Sequence, residues 1–203
     1  MIKLYHHLDC PYSQKVRVVM AEKGLEYEKK AVDLQASEQK SQEFLKLNPY
    51  GRVPVLVDED VIVYDSTIIN EYLDEEYPDP PLMPAAGESA DRARVRQLED
   101  FCDNSFIFPT FRLLAELYKP EGQRDDEVVR NHQTELIRVL SRLELQLEGR
   151  EFLVGEFSLA DAAFVPRILI LPQMGIEMDP RWHNVPAWIN RLRERNSVRE
   201  LNL

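Results

Sequence analysis

Cysteine is scarce in this chain of 203 residues, which contains Cys10 and Cys102 alone. Two cysteines are too few to build a disulfide framework. The sequence also lacks the run of about 18 apolar residues that a membrane-spanning helix requires. It shows no cleavable leader pattern, because strand-forming residues begin at Ile2. We therefore expect a cytoplasmic protein.

Basic residues are in deficit, since 25 lysines and arginines face 36 aspartates and glutamates. The formal net charge is −11. A surface of this sign repels nucleic-acid phosphates and anionic lipid headgroups. We therefore expect neither nucleic acid nor a membrane as a partner.

Metal-ligating residues are grouped at one place, where the pair His6-His7 precedes Cys10. Adjacent residues on a strand point to opposite faces, so the two imidazoles cannot converge on one ion. The neighbouring sequence supplies no fourth ligand. We therefore predict that the protein holds no metal.

Strand and helix patterns alternate along the first 78 residues. Strands are indicated at 2–5 and 26–33, with a hairpin at 55–64, and helices at 11–23, 39–46 and 66–77. This order, β-α-β-α-β-β-α, predicts an α/β domain over residues 1–78. The proline-rich stretch that follows predicts a linker over 79–88.

Helical patterns alone follow the linker. The clearest is a stripe of leucines with helical spacing at Leu136, Leu140, Leu143 and Leu147. Such a stripe is typical of a helix that packs against a core. We therefore predict an all-helical domain over residues 89–203, so that the fold class is α/β followed by all-α.

A cysteine opens the first predicted helix, in the sequence Cys10-Pro11-Tyr12-Ser13. Pro11 suits the first helical position, where an N–H has no partner within the helix. A helix N-terminus carries partial positive charge, which favours the thiolate, the form that attacks. The motif resembles the active site of glutaredoxins, with Ser13 in place of the second cysteine.

Two further motifs flank the predicted hairpin. Val53-Pro54 directly precedes a β-branched strand, a place where a cis-proline would leave the Val53 backbone able to pair with an extended peptide. Asp65-Ser66 opens the next helix, and Ser66 is a good N-cap residue. Free N–H groups and a hydroxyl at a helix N-terminus can bind a carboxylate.

Together these motifs resemble the cytosolic glutathione transferase superfamily, and the resemblance spans all 203 residues. It implies a thioredoxin-like, glutathione-binding N-terminal domain followed by an all-helical domain. The first helix resembles the tau and omega classes, in which a serine or cysteine nucleophile occupies this position. Ser158 and Asp161 resemble the N-capping box of the family, a folding element without chemistry.

The resemblance also implies roles for individual residues. Cys10 would be the catalytic residue, either forming a mixed disulfide with glutathione or activating its thiol. The residues expected to bind glutathione are Tyr12, Ser13, Lys40, Arg52, Val53, Pro54, Asp65 and Ser66. A small electrophilic or disulfide substrate would lie between the domains against Phe106, Phe108 and Phe111. Members of the family are usually homodimers, and we expect the same here.

A second resemblance points to a different function. The segment from Tyr64 to Glu75, the linker Pro80-Pro81-Leu82-Met83-Pro84 and the segment from Leu171 to Glu177 resemble the stringent starvation protein A branch. This branch has the transferase fold but binds RNA polymerase. Asp79 stands where its linker typically carries histidine, and Cys10 where it generally lacks cysteine. We therefore favour a glutathione-dependent transferase, with an RNA polymerase-binding regulator as the alternative.

Overall fold

The computed structural model describes residues 1–120 and 122–202 of the chain. It contains two compact units, one formed by Met1–Leu82 and the other by residues from Met83 onward. Within the described residues, no helix combines the length and the apolar character needed to cross a membrane. The same residues contain no cluster of histidine, cysteine, aspartate or glutamate that could hold a metal ion.

The first unit is built on a four-stranded mixed sheet with the strand order β2-β1-β3-β4. Its strands are β1 (Lys3–His6), β2 (Glu28–Ala31), β3 (Val55–Asp58) and β4 (Val61–Tyr64). Its helices are α1 (Pro11–Glu22), α2 (Gln42–Leu47) and α3 (Ser66–Glu76). The predicted β-α-β-α-β-β-α order is therefore confirmed.

The pairing of the strands brings several connections to one edge of the sheet. Strands β1 and β2 are parallel, whereas β3 runs antiparallel to both β1 and β4. Tyr5 lies opposite Val55, and Val55 lies opposite Tyr64. The residues that follow β1, precede β3 and follow β4 therefore leave the sheet at the same edge.

The predicted helix at 39–46 is interrupted. A 3₁₀ turn occupies Glu38–Lys40, and α2 begins separately at Gln42, with Ser41 as its N-cap residue. The Ser41 hydroxyl accepts a hydrogen bond from the Phe44 N–H (3.2 Å), so it caps the new helix. The second strand is also shorter than the predicted range of 26–33.

The second unit is helical, as predicted. Its helices are α4 (Ser89–Phe101), α5 (Phe108–Leu117), α6 (Asp126–Gln146), α7 (Leu159–Ile168), α8 (Asn184–Glu194) and α9 (Asn196–Arg199). A π-helical turn at Cys102–Ile107 joins α4 to α5, and a 3₁₀ turn lies at Leu171–Met174. The predicted stripe of four leucines is buried, which confirms its place in the core.

Helix α7 is the centre of this unit, and all of its residues are buried. The predicted capping box of Ser158 and Asp161 is present at its start. The Asp161 carboxylate also accepts hydrogen bonds from the Leu153 N–H (3.0 Å) and the Trp188 indole N–H (2.9 Å). Burial raises the pKa of Asp161 to about 6, although the hydrogen bonds act in the opposite direction.

Candidate functional site

Cys10 is the N-cap residue of α1, and Pro11 is the first residue of the helix. The Cys10 backbone is extended, and its carbonyl accepts the first helical hydrogen bond from the Gln14 N–H (2.9 Å). Its side chain makes no capping hydrogen bond. The thiol is partly exposed, whereas the other cysteine, Cys102, is buried. Cys10 therefore combines a helix-start position with access to solvent.

The Cys10 sulfur lies beside the segment that precedes β3. Its Sγ atom is 4.0 Å from the Val53 carbonyl oxygen, and the side chain packs against the apolar cluster that contains Val53 and Val55. This contact joins residues that are 43 positions apart in the sequence. The structure thus brings together two of the motifs that the sequence analysis singled out.

Ser13 lies below the surface. Its side chain is completely buried, and its hydroxyl is 3.4 Å from the His7 N–H, from which it accepts a hydrogen bond. This bond and the one from the Cys10 N–H to the His7 carbonyl (3.3 Å) hold the loop before α1. The Ser13 hydroxyl is therefore engaged in this loop, and its predicted role in binding glutathione stays a prediction.

The histidine at the end of β1 is uncharged at neutral pH. His6, at the end of β1, is buried, and this burial lowers its pKa to about 4. The positive charges of Arg17 and Lys29 contribute to the same lowering of the His6 pKa. His6 is therefore neutral at pH 7, and the N-terminus of α1 carries only the partial positive charge of its free N–H groups.

The Val53–Pro54 peptide bond is cis, as predicted. The Asn48 side chain holds the loop before it, since its Nδ2 donates to the Arg52 carbonyl (2.8 Å) and its Oδ1 accepts from the Tyr50 N–H (3.0 Å). Among the described residues, the Val53 N–H has no hydrogen-bond partner, and its carbonyl has the Cys10 thiol alone. Val53 can therefore offer one donor and one acceptor to an extended ligand.

The two basic residues that are predicted to bind glutathione, Lys40 and Arg52, differ in their hydrogen-bond partners. Lys40 Nζ donates to the Tyr50 carbonyl (3.1 Å) and closes over Gly51, where φ is +59° and a Cβ atom would lie 2.7 Å from the Gln39 carbonyl oxygen. Arg52 is exposed, and its guanidinium has no partner among the described residues. Lys40 therefore stabilises the loop around Gly51, whereas the Arg52 guanidinium is available to an anionic ligand.

Asp65 rather than Ser66 is the N-cap residue of α3, which corrects the sequence-based assignment. The Asp65 carboxylate accepts hydrogen bonds from the N–H groups of Thr67 (3.0 Å) and Ile68 (3.4 Å), with a left-handed φ of +75°. Ser66 is buried, with 4% of its surface exposed, and its hydroxyl has no partner within the described part of the chain. Asp65 therefore shapes the turn, and Ser66 keeps a free hydroxyl.

Sequence reasoning missed an aromatic pair next to these motifs. The rings of Tyr50 and Tyr64 meet edge to face, with centroids 6.0 Å apart. Tyr64 packs on the same cluster as Cys10, while Tyr50 is 66% exposed. Tyr50 lies in the loop before the cis-proline and Tyr64 ends β4, so no local sequence pattern indicates that the two rings meet. Tyr12, which the sequence analysis did name, is partly buried in the first turn of α1.

The three predicted second-substrate residues do not share one environment. Phe106 is completely buried in the interior of the helical unit, and its predicted contact with a second substrate stays a prediction. Phe108 and Phe111 are 55% and 41% exposed. Each of these two rings has a guanidinium group nearby, Arg112 at 5.8 Å from Phe108 and Arg167 at 5.3 Å from Phe111.

Family models match both units of the chain. Residues 1–75 match the N-terminal domain of glutathione S-transferase, and residues 106–196 match its C-terminal domain. A solved structure of the glutathione transferase URE2P8 from Phanerochaete chrysosporium, with oxidized glutathione, superposes with a TM-score of 0.88 at 27% identity. The superposition covers 98% of this chain and 92% of that structure.

Relatives with curated names fall into two groups. The stringent starvation protein A homolog of Pasteurella multocida is 34% identical, over 92% of this chain and 82% of that protein. Glutathione S-transferase Z1 of Arabidopsis thaliana is 32% identical, over 96% of this chain and 92% of that protein. With both domain models, the matching fold and these full-length relatives, the chain belongs to the glutathione S-transferase family.

Proposed function

We propose that this member of the family is a glutathione-dependent thiol transferase in which Cys10 is the nucleophile. The observation that carries this proposal is the partly exposed thiol at the start of α1, 4.0 Å from the carbonyl oxygen of Val53. The structure of URE2P8 with oxidized glutathione supports it, because that relative accommodates a glutathione disulfide.

Val53 would hold the cysteine residue of glutathione. In a disulfide, the two Cα atoms are about 5.5 Å apart. A glutathione cysteine bonded to Cys10 would therefore reach the Val53 backbone, which lies 4.0 Å from the Cys10 sulfur. The Val53 N–H, which has no partner among the described residues, and the Val53 carbonyl could then pair with it as in an antiparallel strand. Pro54 would fix the direction of this segment.

The two ends of glutathione would bind to separate groups of residues at the same sheet edge. Ser66, at the start of α3, would donate its hydroxyl and N–H to the γ-glutamyl carboxylate, and Asp65 would hold the turn in place. Arg52 would pair with the glycine carboxylate. Lys40 and Tyr12 would border the ligand, with Lys40 acting mainly through the loop that it closes.

The reaction would proceed by two thiol–disulfide exchanges. The Cys10 thiolate attacks the glutathione sulfur of a glutathionylated substrate, so that a Cys10–glutathione bond forms and the substrate leaves as a thiolate, which takes up a proton. A second glutathione thiolate then attacks the glutathione sulfur on Cys10. Oxidized glutathione leaves, and the Cys10 thiolate is restored. Because Ser13 replaces the second cysteine, the motif has no internal disulfide as an alternative.

The second substrate would be a small electrophilic or disulfide compound that contacts the exposed rings of Phe108 and Phe111. Aromatic side chains offer large apolar area with few torsions to immobilise. We further propose a homodimer as the active form. Replacing both phenylalanines by serine should raise KM for apolar substrates more than it lowers kcat, because ground-state and transition-state contacts are lost together.

A thiol-transfer assay tests this proposal. The release of glutathione from a glutathionylated peptide would be followed for the wild type, Cys10→Ser and Cys102→Ser. We expect Cys10→Ser to abolish transfer, while Cys102→Ser, which alters a buried thiol, keeps it as long as the variant remains folded. Conjugation of glutathione to a model electrophile should persist in Cys10→Ser, since a serine hydroxyl can stabilise the glutathione thiolate. Transfer by Cys10→Ser at the wild-type rate would contradict the proposal.

The relation to the stringent starvation protein A homologs favours a second candidate, an adaptor that binds RNA polymerase. Pro80 and Pro81 are exposed in the chain, whereas Leu82 and Met83 are buried. Proline restricts the backbone before binding, so this segment would lose little conformational entropy when it docks onto a partner protein.

A pull-down from the lysate of the native host separates the two functions. The samples would be the wild type, a variant with Pro80→Ala and Pro81→Ala, and Cys10→Ser. If RNA polymerase is captured stoichiometrically and lost in the proline variant alone, the adaptor function is correct. If no polymerase is captured, the adaptor function is wrong, and the thiol-transfer assay decides the enzyme function independently.

A further inference from the structure

The helical unit contains an open surface cavity of about 460 Å³ that has no part in the function proposed above, and its charged lining residues are exposed. It lies between α4, the end of α6 and the loop that follows α6. Its lining residues are Asp91, Arg94, Gln146, Arg150, Leu153, Val154 and Gly155. The volume falls within the range of about 300–1,000 Å³ that is typical of small-molecule sites.

Gln146 holds two guanidinium groups in this cavity. Its Oε1 atom accepts a hydrogen bond from Arg94 Nη2, and its backbone carbonyl accepts one from Arg150 Nη1 (2.9 Å). Its Nε2 atom donates to the Leu153 carbonyl (2.8 Å), which fixes the amide plane. The last residue of α6 therefore orients arginines from two separate segments toward the same space.

Within the described part of the chain, Arg94 and Arg150 have no carboxylate partner that would neutralise their charges. Among the residues that the structure describes, neither Arg94 nor Arg150 forms an ion pair. Each guanidinium carries five N–H donors and uses one of them on Gln146. In a chain with a net charge of −11, two such groups in one cavity leave a local site for an anion.

Asp91 adds one acidic group to the lining of the cavity. It precedes Arg94 by three residues on α4, so the two side chains lie on the same face of the helix, yet they make no ion pair. Its carboxylate can accept hydrogen bonds from a ligand hydroxyl but repels an anion. Leu153 and Val154 supply an apolar wall, and Gly155 leaves open space where a side chain would stand.

We propose that this cavity binds a small phosphate monoester that also carries hydroxyl groups, such as a sugar phosphate. The planar forks of Arg94 and Arg150 match phosphate oxygens in geometry and balance their two charges. The Asp91 carboxylate accepts a hydrogen bond from a hydroxyl on the same ligand. The combination explains why the cavity is larger than a bare phosphate requires and why it contains one acidic group.

Isothermal titration calorimetry with ribose 5-phosphate as the probe tests the proposal. Each of Arg94→Gln and Arg150→Gln should weaken binding by about 10- to 100-fold, because a charged hydrogen-bonding group is lost. Arg138→Gln is the matched control, since it removes the same charge from an exposed position on α6 outside the cavity. It should bind the probe within about twofold of the wild type. Thermal unfolding of each variant checks that the fold is intact.

Ribose, inorganic phosphate and two lysine variants test which groups of the ligand the cavity recognises. Ribose without phosphate should not bind, and inorganic phosphate should bind more weakly than ribose 5-phosphate, because it cannot use Asp91. Arg94→Lys and Arg150→Lys should retain part of the affinity, since they keep the charge but lose the fork. The proposal is overturned if the wild type does not bind ribose 5-phosphate, if inorganic phosphate binds as tightly, or if Arg138→Gln weakens binding as much as the cavity variants.

Discussion

Helices α1 and α7 begin in opposite ways. At the start of α7, the Asp161 carboxylate is completely buried and accepts hydrogen bonds from Leu153, Ser158 and Trp188. At the start of α1, Cys10 makes no capping hydrogen bond and remains partly exposed. We call a helix start closed when a side chain accepts hydrogen bonds from its free N–H groups, and open when no side chain does. A closed start stabilises the fold, whereas the partial positive charge and the N-cap side chain of an open start remain available to a ligand.

Helix α3 combines both arrangements. Asp65 satisfies the N–H groups of Thr67 and Ile68, and this closes part of the first turn. Ser66 keeps its hydroxyl without a partner among the described residues. The contrast predicts that substitutions at the closed start change stability, while those at the open starts change ligand binding.

The largest effect is expected at the closed start. Asp161→Ala should lower the free energy of unfolding by about 3–5 kcal/mol, because it leaves several buried donors without an acceptor. Cys10→Ala should change it by less than about 1 kcal/mol, since the thiol caps nothing. Urea unfolding of both variants measures the difference. Equal losses would show that the two helix starts are not energetically distinct.

The pH dependence of stability should also report on Asp161. Because burial raises its folded pKa to about 6, the folded state keeps its proton at a pH where the unfolded chain has released it. The free energy of unfolding should therefore fall as pH rises between about 4 and about 6, by about 1.4 kcal/mol per pKa unit of difference. The measurement is the difference between wild type and Asp161→Asn across this range. A difference that does not vary with pH would contradict the raised pKa.

Ser66→Ala should weaken the binding of glutathione by about 1–3 kcal/mol, the usual cost of removing a hydrogen bond to a charged group. Calorimetry measures the dissociation constant, and retention on immobilised glutathione, with elution by free glutathione, gives a second readout. Ser89→Ala, which changes an exposed serine of the helical unit, is the matched control. Undiminished binding by Ser66→Ala would remove this hydroxyl from the site.

The smallest effect is expected for the exposed cation. Arg52→Ala should raise the Kd for glutathione by about two- to fivefold, because an exposed ion pair contributes little in water. The effect should shrink as salt is added. The Kd of Lys40→Ala is measured beside that of Arg52→Ala, because Lys40 donates to the Tyr50 carbonyl and stabilises the loop rather than contacting the ligand. A loss confined to Lys40→Ala would transfer the carboxylate-binding role from Arg52 to Lys40.

The order of strands and helices could be predicted from the sequence because each element has its own local pattern. The break at Ser41 was missed, since the residues on both sides of it continue a helical pattern. The cap of α3 was assigned to Ser66 because aspartate and serine are equally good caps, and the positive φ of Asp65 leaves no mark in the sequence.

The site was harder to predict, because its parts are distant along the chain. Cys10 and Val53 are 43 positions apart, and the resemblance to a family, rather than any periodic pattern, indicated that they belong together. The burial of Phe106 was not predicted, because this residue lies in the π-helical turn at Cys102–Ile107, for which the sequence has no simple pattern. The bonds from Leu153 and Trp188 to Asp161 also depend on tertiary packing.

Mass spectrometry after treatment with oxidized glutathione tests most directly whether the open start of α1 is chemically reactive. Cys10 is partly exposed at the N-terminus of a helix, whereas Cys102 is buried. We predict one added glutathione per chain, located on Cys10, and its removal by reduced glutathione. An unmodified Cys10, or modification of Cys102 in its place, would contradict the assignment of Cys10 as the nucleophile.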